Sequence, residues 1–412
     1  MILYNIDILI YYTIIFLKKE DDLMKNNAKI IFHIDLNMFF CTVAAILNPS
    51  LKGKAFAVGR ENTYKGVIST ASYEARAYGV HSGMSLVEAY RKKHDLIVVS
   101  VDYNYFIDYH NKFISLLKEY TNLIEVASID EAYLDMSELA KTRHPVEVAK
   151  EIQQRLYKQY GLSCSIGIAP TLFLAKMGSD MKKPMGLTII RKREVEKLLF
   201  PLSVKDIFGI GKKTYPRLIE NNINTIGELI NQKEKSISLI GENAYNYVFN
   251  SVYGNTSNVV DGNRYSDSQS ISTSQTYDYP LQTEDDILFE LRGMTKRLVR
   301  KLNADNYYTK TIRVTFRNTD FKTYSKGKSV DYTNDFYVIF DVVSEIIADN
   351  YHNEPLRLVG VELSGLEKNI PIEYNLFTYQ SLTEKENNLK SLINEFKEKY
   401  GDSFIQKGVD KK

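Results

Sequence analysis

The chain has 412 residues, 44% of them apolar and 25% charged, with a formal net charge of +2. That length exceeds one compact core and implies two to four domains, and the composition is that of a soluble globular protein, not of a disordered or fibrous one. Two cysteines, Cys41 and Cys164, exclude a disulfide framework, and with six scattered histidines they leave no zinc-type spacing; a reducing, cytoplasmic setting is expected.

The charge is unevenly placed. Residues 182–217 carry ten Lys/Arg against three Asp/Glu, 290–328 eleven against three, and 331–412 nine against fifteen. Two separated basic segments fit two surfaces that grip one polyanion, although basic residues also simply solvate helices.

Residues 1–28 read as an N-terminal extension. Their apolar run, 8–17 (ILIYYTIIFL), is too short to span a bilayer and lacks the basic lead and cleavage site of a signal peptide. No membrane role is expected, and Met24 is a candidate start. A short apolar run, 30–35 (IIFHID), predicts a buried strand ending in Asp35. A helix over 39–47 stopped by Pro49, a strand over 55–59 and a helix over 73–78 closed by Gly79 follow, then a helix over 85–92, a strand over 96–101 and a helix over 105–120. Residues 126–136 (VASIDEAYLDM) predict strand, tight turn and strand, with Asp130 and Glu131 at the reversal. An amphipathic helix over 145–160, with Val148, Ile152 and Leu156 on one stripe, precedes a strand over 164–169, a helix over 171–181 and a strand over 186–190. This interleaving marks an α/β or α+β domain.

Beyond residue 198 the pattern is helical, with a glycine-flanked turn at 208–213 (FGIGKK). Residues 255–274 are polar and linker-like. From 270 the order is strand, helix (285–303), strand (310–317), strand (321–325), helix (336–349) and strand (357–363), a small split βαβ-type domain. A tail, 368–412, contains one charged helical stretch.

Taken alone, Asp130 and Glu131 are either a solvated hairpin tip or half of a cation site, since adjacent carboxylates near apolar residues repel unless a cation lies between them. Asp35 ends a strand of the same predicted domain. Three carboxylates at neighbouring strand ends supply the oxygen ligands that Mg²⁺ takes, and a pair of such ions serves phosphoryl transfer. Tyr73 and Arg76 lie one helical turn apart and can offer a phenol hydroxyl and a guanidinium fork to phosphate oxygens. Lys183 adds a cation near the same sheet edge. Each of these three also reads as an ordinary exposed or surface-paired residue. The turn with Gly209, Gly211 and Lys212 resembles a helix-hairpin-helix, whose backbone N–H groups contact a DNA phosphate without reading sequence.

Five stretches, IDLNMFFCTV (34–43), STASYEARAYGV (69–80), ASIDEAYLD (127–135), CSIGIAPTLFLAKMGSDMKKPMG (164–186) and FGIGKKT (208–214), together resemble the Y-family DNA polymerases of the bacterial polymerase IV type. The resemblance spans about residues 29–367. It implies low-fidelity, distributive, DNA-templated translesion synthesis in DNA repair, without a proofreading exonuclease. It also implies Asp35, Asp130 and Glu131, with the Leu36 backbone carbonyl, as ligands of two Mg²⁺ ions, and Tyr73, Arg76 and Lys183 as holders of the incoming dNTP. Phe40 matches the steric gate beneath the sugar and Val67 the roof over the nascent base pair.

The implied architecture is an α+β right hand. It comprises palm (29–42 and 102–190), fingers (43–101), thumb (191–258), linker (259–269), a little-finger domain (270–367) and the tail. The implied partners of this monomer are primer-template DNA, dNTPs and the sliding clamp, the last through Leu376 and Phe377 in 373–377 (EYNLF), where Glu373 stands in place of the family's Gln. Ala44 likewise replaces a glutamate that usually follows the Asp35 motif. Two other readings use the same residues: a metal-dependent nuclease, which the triphosphate trio disfavours, and a non-catalytic DNA-binding scaffold, which the intact carboxylates disfavour.

Overall fold

The computed structural model describes residues 29–368 apart from Tyr265, together with Ile370. The extension 1–28 and the clamp peptide with Leu376 and Phe377 lie outside the described residues. The chain divides after Asp267 into two compact units, and residues 29–258, expected to form palm, fingers and thumb, fall in the first.

The first unit runs β1 (Ile31–Leu36), α1 (Phe39–Leu47), β2 (Phe56–Val58), β3 (Thr70–Ala71), α2 (Tyr73–Arg76), α3 (Leu86–Lys92), β4 (Ile97–Val99), α4 (Tyr103–Leu117), β5 (Ile124–Val126), β6 (Glu131–Asp135), α5 (Pro145–Tyr160), β7 (Cys164–Ala169), α6 (Leu172–Met181) and β8 (Leu187–Ile189). Helices α7 (Val195–Leu199), α8 (Tyr215–Glu220), α9 (Ile226–Asn231), α10 (Lys233–Ile240) and α11 (Glu242–Val252) complete it.

The main sheet has the order β5–β6–β1–β7–β8. β1 lies at its centre, antiparallel to both β6 and β7, and all six of its residues are buried. This is why its sequence is an unbroken apolar run instead of an alternation. Its two faces still differ. Phe32, Ile34 and Leu36 pack with Phe113, Leu116, Ile152 and Leu156 of α4 and α5, where each fully buried side chain contributes about 1.5–3 kcal/mol. Ile31 packs on the opposite side with Phe173, Leu174 and Met177 of α6. His33 and Asp35 share that second face by strand alternation.

Helix α6 lies unusually close to the sheet. A Cβ on Gly167 of β7 would stand 1.9 Å from the Ala175 carbonyl oxygen and 2.5 Å from the Ser179 nitrogen. A Cβ on Gly178 would approach the Gly167 Cα to 3.1 Å. Only glycine fits at this seam. Thr171 starts the helix by accepting from the Leu174 N–H.

A second small sheet, β3–β2–β4, has its own core, including Ile68, Ala71, Ala75, Met84 and Leu86. It carries α2, capped by Ser72, whose hydroxyl accepts from Ala75 N–H and donates to the Lys54 carbonyl. The helical segment is shorter than the expected 73–78 and ends before Gly79, which has φ +82°. Another adjustment concerns 126–136: the first strand stops at Val126, and residues 127–130 form the turn, with the Ala127 and Ser128 N–H groups donating to the Glu131 carbonyl. Asp130 therefore belongs to the turn and Glu131 opens β6.

Of the stretch 255–274, expected as linker-like, the part up to Arg264 is strapped to the first unit. Leu172 N–H donates to the Ser257 carbonyl. Asp261 N–H donates to Glu125 Oε2 at 2.9 Å and Arg264 Nε to Glu125 Oε1 at 2.6 Å. Glu125 is 3% exposed, so the strap satisfies a carboxylate that burial would otherwise penalise. Polar composition signalled a loop here, but a loop can be docked through its own donors.

The second unit runs β9 (Ser270–Leu281), α12 (Glu284–Ala304), β10 (Tyr307–Asn318), β11 (Thr323–Thr333), α13 (Phe336–Asn350), β12 (Leu356–Ser364) and β13 (Glu367–Lys368). Its sheet order β11–β10–β12–β9 is antiparallel throughout. β9 and β10 thus run the same way with β12 between them, the split βαβ topology read from the sequence. Ile312, Val314 and Phe316 face Leu291, Met294, Val343 and Ile347 of the two helices. By alternation the opposite face carries Ser272 and Ser274, Arg313, Thr315 and Arg317, Ser325 and Glu362.

Candidate active site

Asp35 and Glu131 are Cα partners across β1 and β6. The register thus brings together two carboxylates separated by almost a hundred residues in sequence. Asp130 lies next to them through its backbone, because its carbonyl accepts from Leu36 N–H at 2.9 Å. Its side chain is engaged elsewhere: the Ser128 hydroxyl donates to Asp130 Oδ1 at 2.6 Å. Among the described residues no group of three or more His, Cys, Asp or Glu is gathered closely enough to hold an ion. The structure therefore joins two of the three predicted acids directly and sets the third beside them, turned to its own loop.

Two lysines close over the pair. Lys183 Nζ donates to Asp35 Oδ2 at 2.7 Å. Lys176 Nζ lies between the acids, 3.1 Å from Asp35 Oδ2 and 2.6 Å from Glu131 Oε1. Asp180 accepts an ion pair from each, at 3.3 Å from Lys176 and 2.7 Å from Lys183. Lys176 was not singled out in the sequence. Its position four residues before Asp180, on the side of α6 that faces a strand ending in Asp35, is the signal that could have found it.

His33 and Ser179 form the floor. The Ser179 hydroxyl donates to the Lys176 carbonyl at 2.8 Å, which leaves its oxygen to accept from His33 Nδ1 at 2.8 Å. That assigns the proton to Nδ1. His33 Nε2 faces Glu131 Oε2 at 3.6 Å and has no hydrogen-bond partner. Burial pushes the His33 pKa down, against the pull of Glu131.

The two acids titrate unequally. Burial and the Glu131 carboxyl raise Asp35 to about 7, against the pull of Lys183 and Lys176. Burial also pushes Glu131 upward, but the neighbouring His33 and Asp35 side chains and the Lys176 ammonium outweigh it and hold Glu131 below the usual range. The pair behaves as one unit that retains a single proton longer than a free carboxylate does.

The remaining predicted residues surround this edge. The Tyr73 hydroxyl is buried without a hydrogen-bond partner; burial raises its pKa, and the charges of Arg76, Lys183 and Asp35 act on it. Arg76 donates from Nε to the Ala71 carbonyl at 3.0 Å, and its guanidinium lies 5.0 Å from the Tyr73 ring centroid. Phe40 is half-buried, with its ring 4.4 Å from that of Phe106. Val67 is 56% exposed, between β2 and β3, and forms an isolated bridge with Ser85. Gly209, Gly211 and Lys212 lie on an exposed turn between a 3₁₀ turn (Val204–Asp206) and α8. Gly209 has φ +97°, a conformation that disfavours side chains.

Comparison with known proteins sets this geometry in a class. Residues 34–180 match the impB/mucB/samB family and 268–375 its C-terminal domain. A chimera of the Y-family polymerases Dbh and Dpo4 superposes with a TM-score of 0.72 at 28% identity, covering 82% of this chain and all of the chimera. An insertion ternary complex of Dbh DNA polymerase does so with a TM-score of 0.59, at the same identity and coverage. The fold is that of the Y-family DNA polymerases. DNA polymerase IV of Oceanobacillus iheyensis is 36% identical over 385 residues, which cover 92% of this chain and 91% of that protein. The chain belongs to the DNA polymerase IV group of this family and is a DNA-directed DNA polymerase of the translesion type.

Proposed function

We propose that the end of the β6–β1–β7 ladder is the polymerising centre, where a primer 3′-OH attacks the α-phosphate of an incoming dNTP and pyrophosphate leaves. The observation that carries this is the convergence of Asp35, Glu131, Lys183 and the unpartnered Tyr73 hydroxyl at one sheet edge. An all-oxygen donor set fits Mg²⁺, and two bound ions would supply charge stabilisation to the attacking and leaving oxygens. Asp35, Glu131 and the Leu36 carbonyl would hold the ions, and Asp130 would join them by giving up the Ser128 hydroxyl.

The protein's own groups do the positioning. Lys183, Arg76 and the Tyr73 hydroxyl bind the triphosphate oxygens, so the buried phenol gains the partner it lacks. Phe40 lies beneath the sugar and excludes a 2′-OH by contact, while Val67 covers the base. The exposed turn at Gly209–Lys213 and the hydroxyl- and arginine-bearing sheet face of the second unit hold the duplex backbone, where contacts fix position without reading sequence. The 373–377 peptide docks on the sliding clamp, and the enzyme works as a monomer in the cytoplasm; among the described residues no helix is long and apolar enough to cross a membrane.

The deciding experiment is primer extension by the Asp130→Ala protein. The expected result is loss of extension with DNA binding retained; extension at the normal rate overturns the metal assignment. Degradation of labelled primer without added nucleotides would favour the nuclease instead.

A further inference from the structure

Lys176 has no part in the function proposed above, yet it holds the central position in the site. Its side chain is 9% exposed, and its ammonium makes three carboxylate contacts, to Asp35, Glu131 and Asp180. Two of its three N–H donors go to Asp35 and Glu131, and Asp180 adds an ion pair at 3.3 Å. Burial opposes its charge, but the three carboxylates outweigh that and raise its pKa. A cation held by Asp35 Oδ2 and Glu131 Oε1 would compete with Lys176 Nζ for the same oxygens, and two positive charges so close repel.

Asp180 makes exchange feasible. It is 41% exposed, lies one turn beyond Lys176 on the same face of α6, and already forms an ion pair with it at 3.3 Å. If Lys176 lost both inner carboxylates, it would keep this partner, so no unpaired charge would be stranded in the interior. Lys183 differs: it is more exposed, at 27%, and reaches only Asp35 and Asp180.

We propose that Lys176 is a positioning residue that serves as the built-in counter-cation of the Asp35–Glu131 pair and competes with the divalent ion, yielding to it by falling back on Asp180. This rests on the assignment of Asp35 and Glu131 as metal ligands. Its consequence is that the free enzyme binds divalent metal weakly and loads it together with the nucleotide, whose phosphates add ligands that Lys176 cannot block.

The test is Mn²⁺ binding to the full chain, followed by electron paramagnetic resonance with and without a non-hydrolysable dNTP, alongside thermal unfolding. Lys176→Met should tighten Mn²⁺ binding to the nucleotide-free protein on the order of tenfold, and added nucleotide should shrink the difference. Lys176→Arg should restore weak binding. Asp180→Asn, which keeps the lysine and removes its fallback, should weaken binding and decides the matter if Lys176→Met does not fold. A structural prop would give the opposite sign, because removing it would disorganise the acids and weaken binding. Unchanged or weaker binding in folded Lys176→Met, or unchanged binding in Asp180→Asn, overturns the proposal while leaving the metal assignment intact. No Mn²⁺ binding by any of these proteins, with or without nucleotide, overturns both.

Discussion

Asp35, the last residue of β1 but one, faces Glu131, the first residue of β6, directly across an antiparallel ladder. The two side chains cannot be treated as independent carboxylates. Asp35→Asn and Glu131→Gln should each reduce single-turnover primer extension by at least about a hundredfold, with little change in affinity for primer-template DNA. Rapid-quench kinetics and a filter-binding titration would separate the two effects.

Tyr73 carries a buried hydroxyl that spends no hydrogen bond within the protein. Tyr73→Phe should therefore leave stability unchanged or raise it by up to about 1 kcal/mol, while the KM for dNTP rises about tenfold. Denaturant titration and steady-state kinetics on one preparation would show the opposed signs.

Phe40 is braced by Phe106 at 4.4 Å and Phe39 at 5.6 Å. Phe40→Ala should cost about 1–3 kcal/mol of stability through lost packing. It should also raise ribonucleotide insertion relative to deoxynucleotide insertion, which parallel extension assays would measure. An unchanged sugar preference would remove Phe40 from the gate role.

Asp135 provides a pH-dependent contribution to folding. Burial pushes its carboxyl upward, but hydrogen bonds from Lys29 and Ser137 prevail and hold it below its ordinary 3.8. A carboxyl lowered in this way stabilises the fold fully above its unfolded value, and the benefit disappears as pH falls through the folded value. Asp135→Asn should destabilise by about 1–2 kcal/mol at pH 7 and by less near pH 3. Urea melts at both values would test it; an equal deficit at both would rule out the charge as the cause.

The Glu125 strap makes a kinetic prediction. Glu125→Ala removes the acceptor of both Asp261 N–H and Arg264 Nε. Limited proteolysis within 255–269 should accelerate about tenfold, because cleavage follows local opening, while the cooperative melting of the second unit is unaffected.

Much of this was legible in the sequence. The runs 145–160 and 164–169 coincide with α5 and β7, because a proline start and glycine stop frame the helix and an uninterrupted apolar run defines the strand. Asp35 and Glu131 were legible as strand-end acids, though only the register could show that they oppose each other. Three features were hidden. Asp130's hydrogen bond to Ser128 is a side-chain choice within a turn. The docking of 255–264 depends on a single buried acid in a distant strand. The spacing of Lys176 and Asp180 marks a charged pair on α6, but not how near the sheet that pair will come.

That nearness is set by Gly167 and Gly178, where a helix and a strand meet without side chains between them. The bonds from Lys176 to its two acids, at 2.6 and 3.1 Å, fail beyond about 3.5 Å, so the helix has only a few tenths of an ångström of vertical play before the charge pattern beneath it changes. The charge balance of the site is thus gauged by a mechanical clearance, at two positions that bear no charge. A methyl group added at Gly167 would act like a shim, lifting the ammonium off both carboxylates while every ionisable residue stayed in the chain.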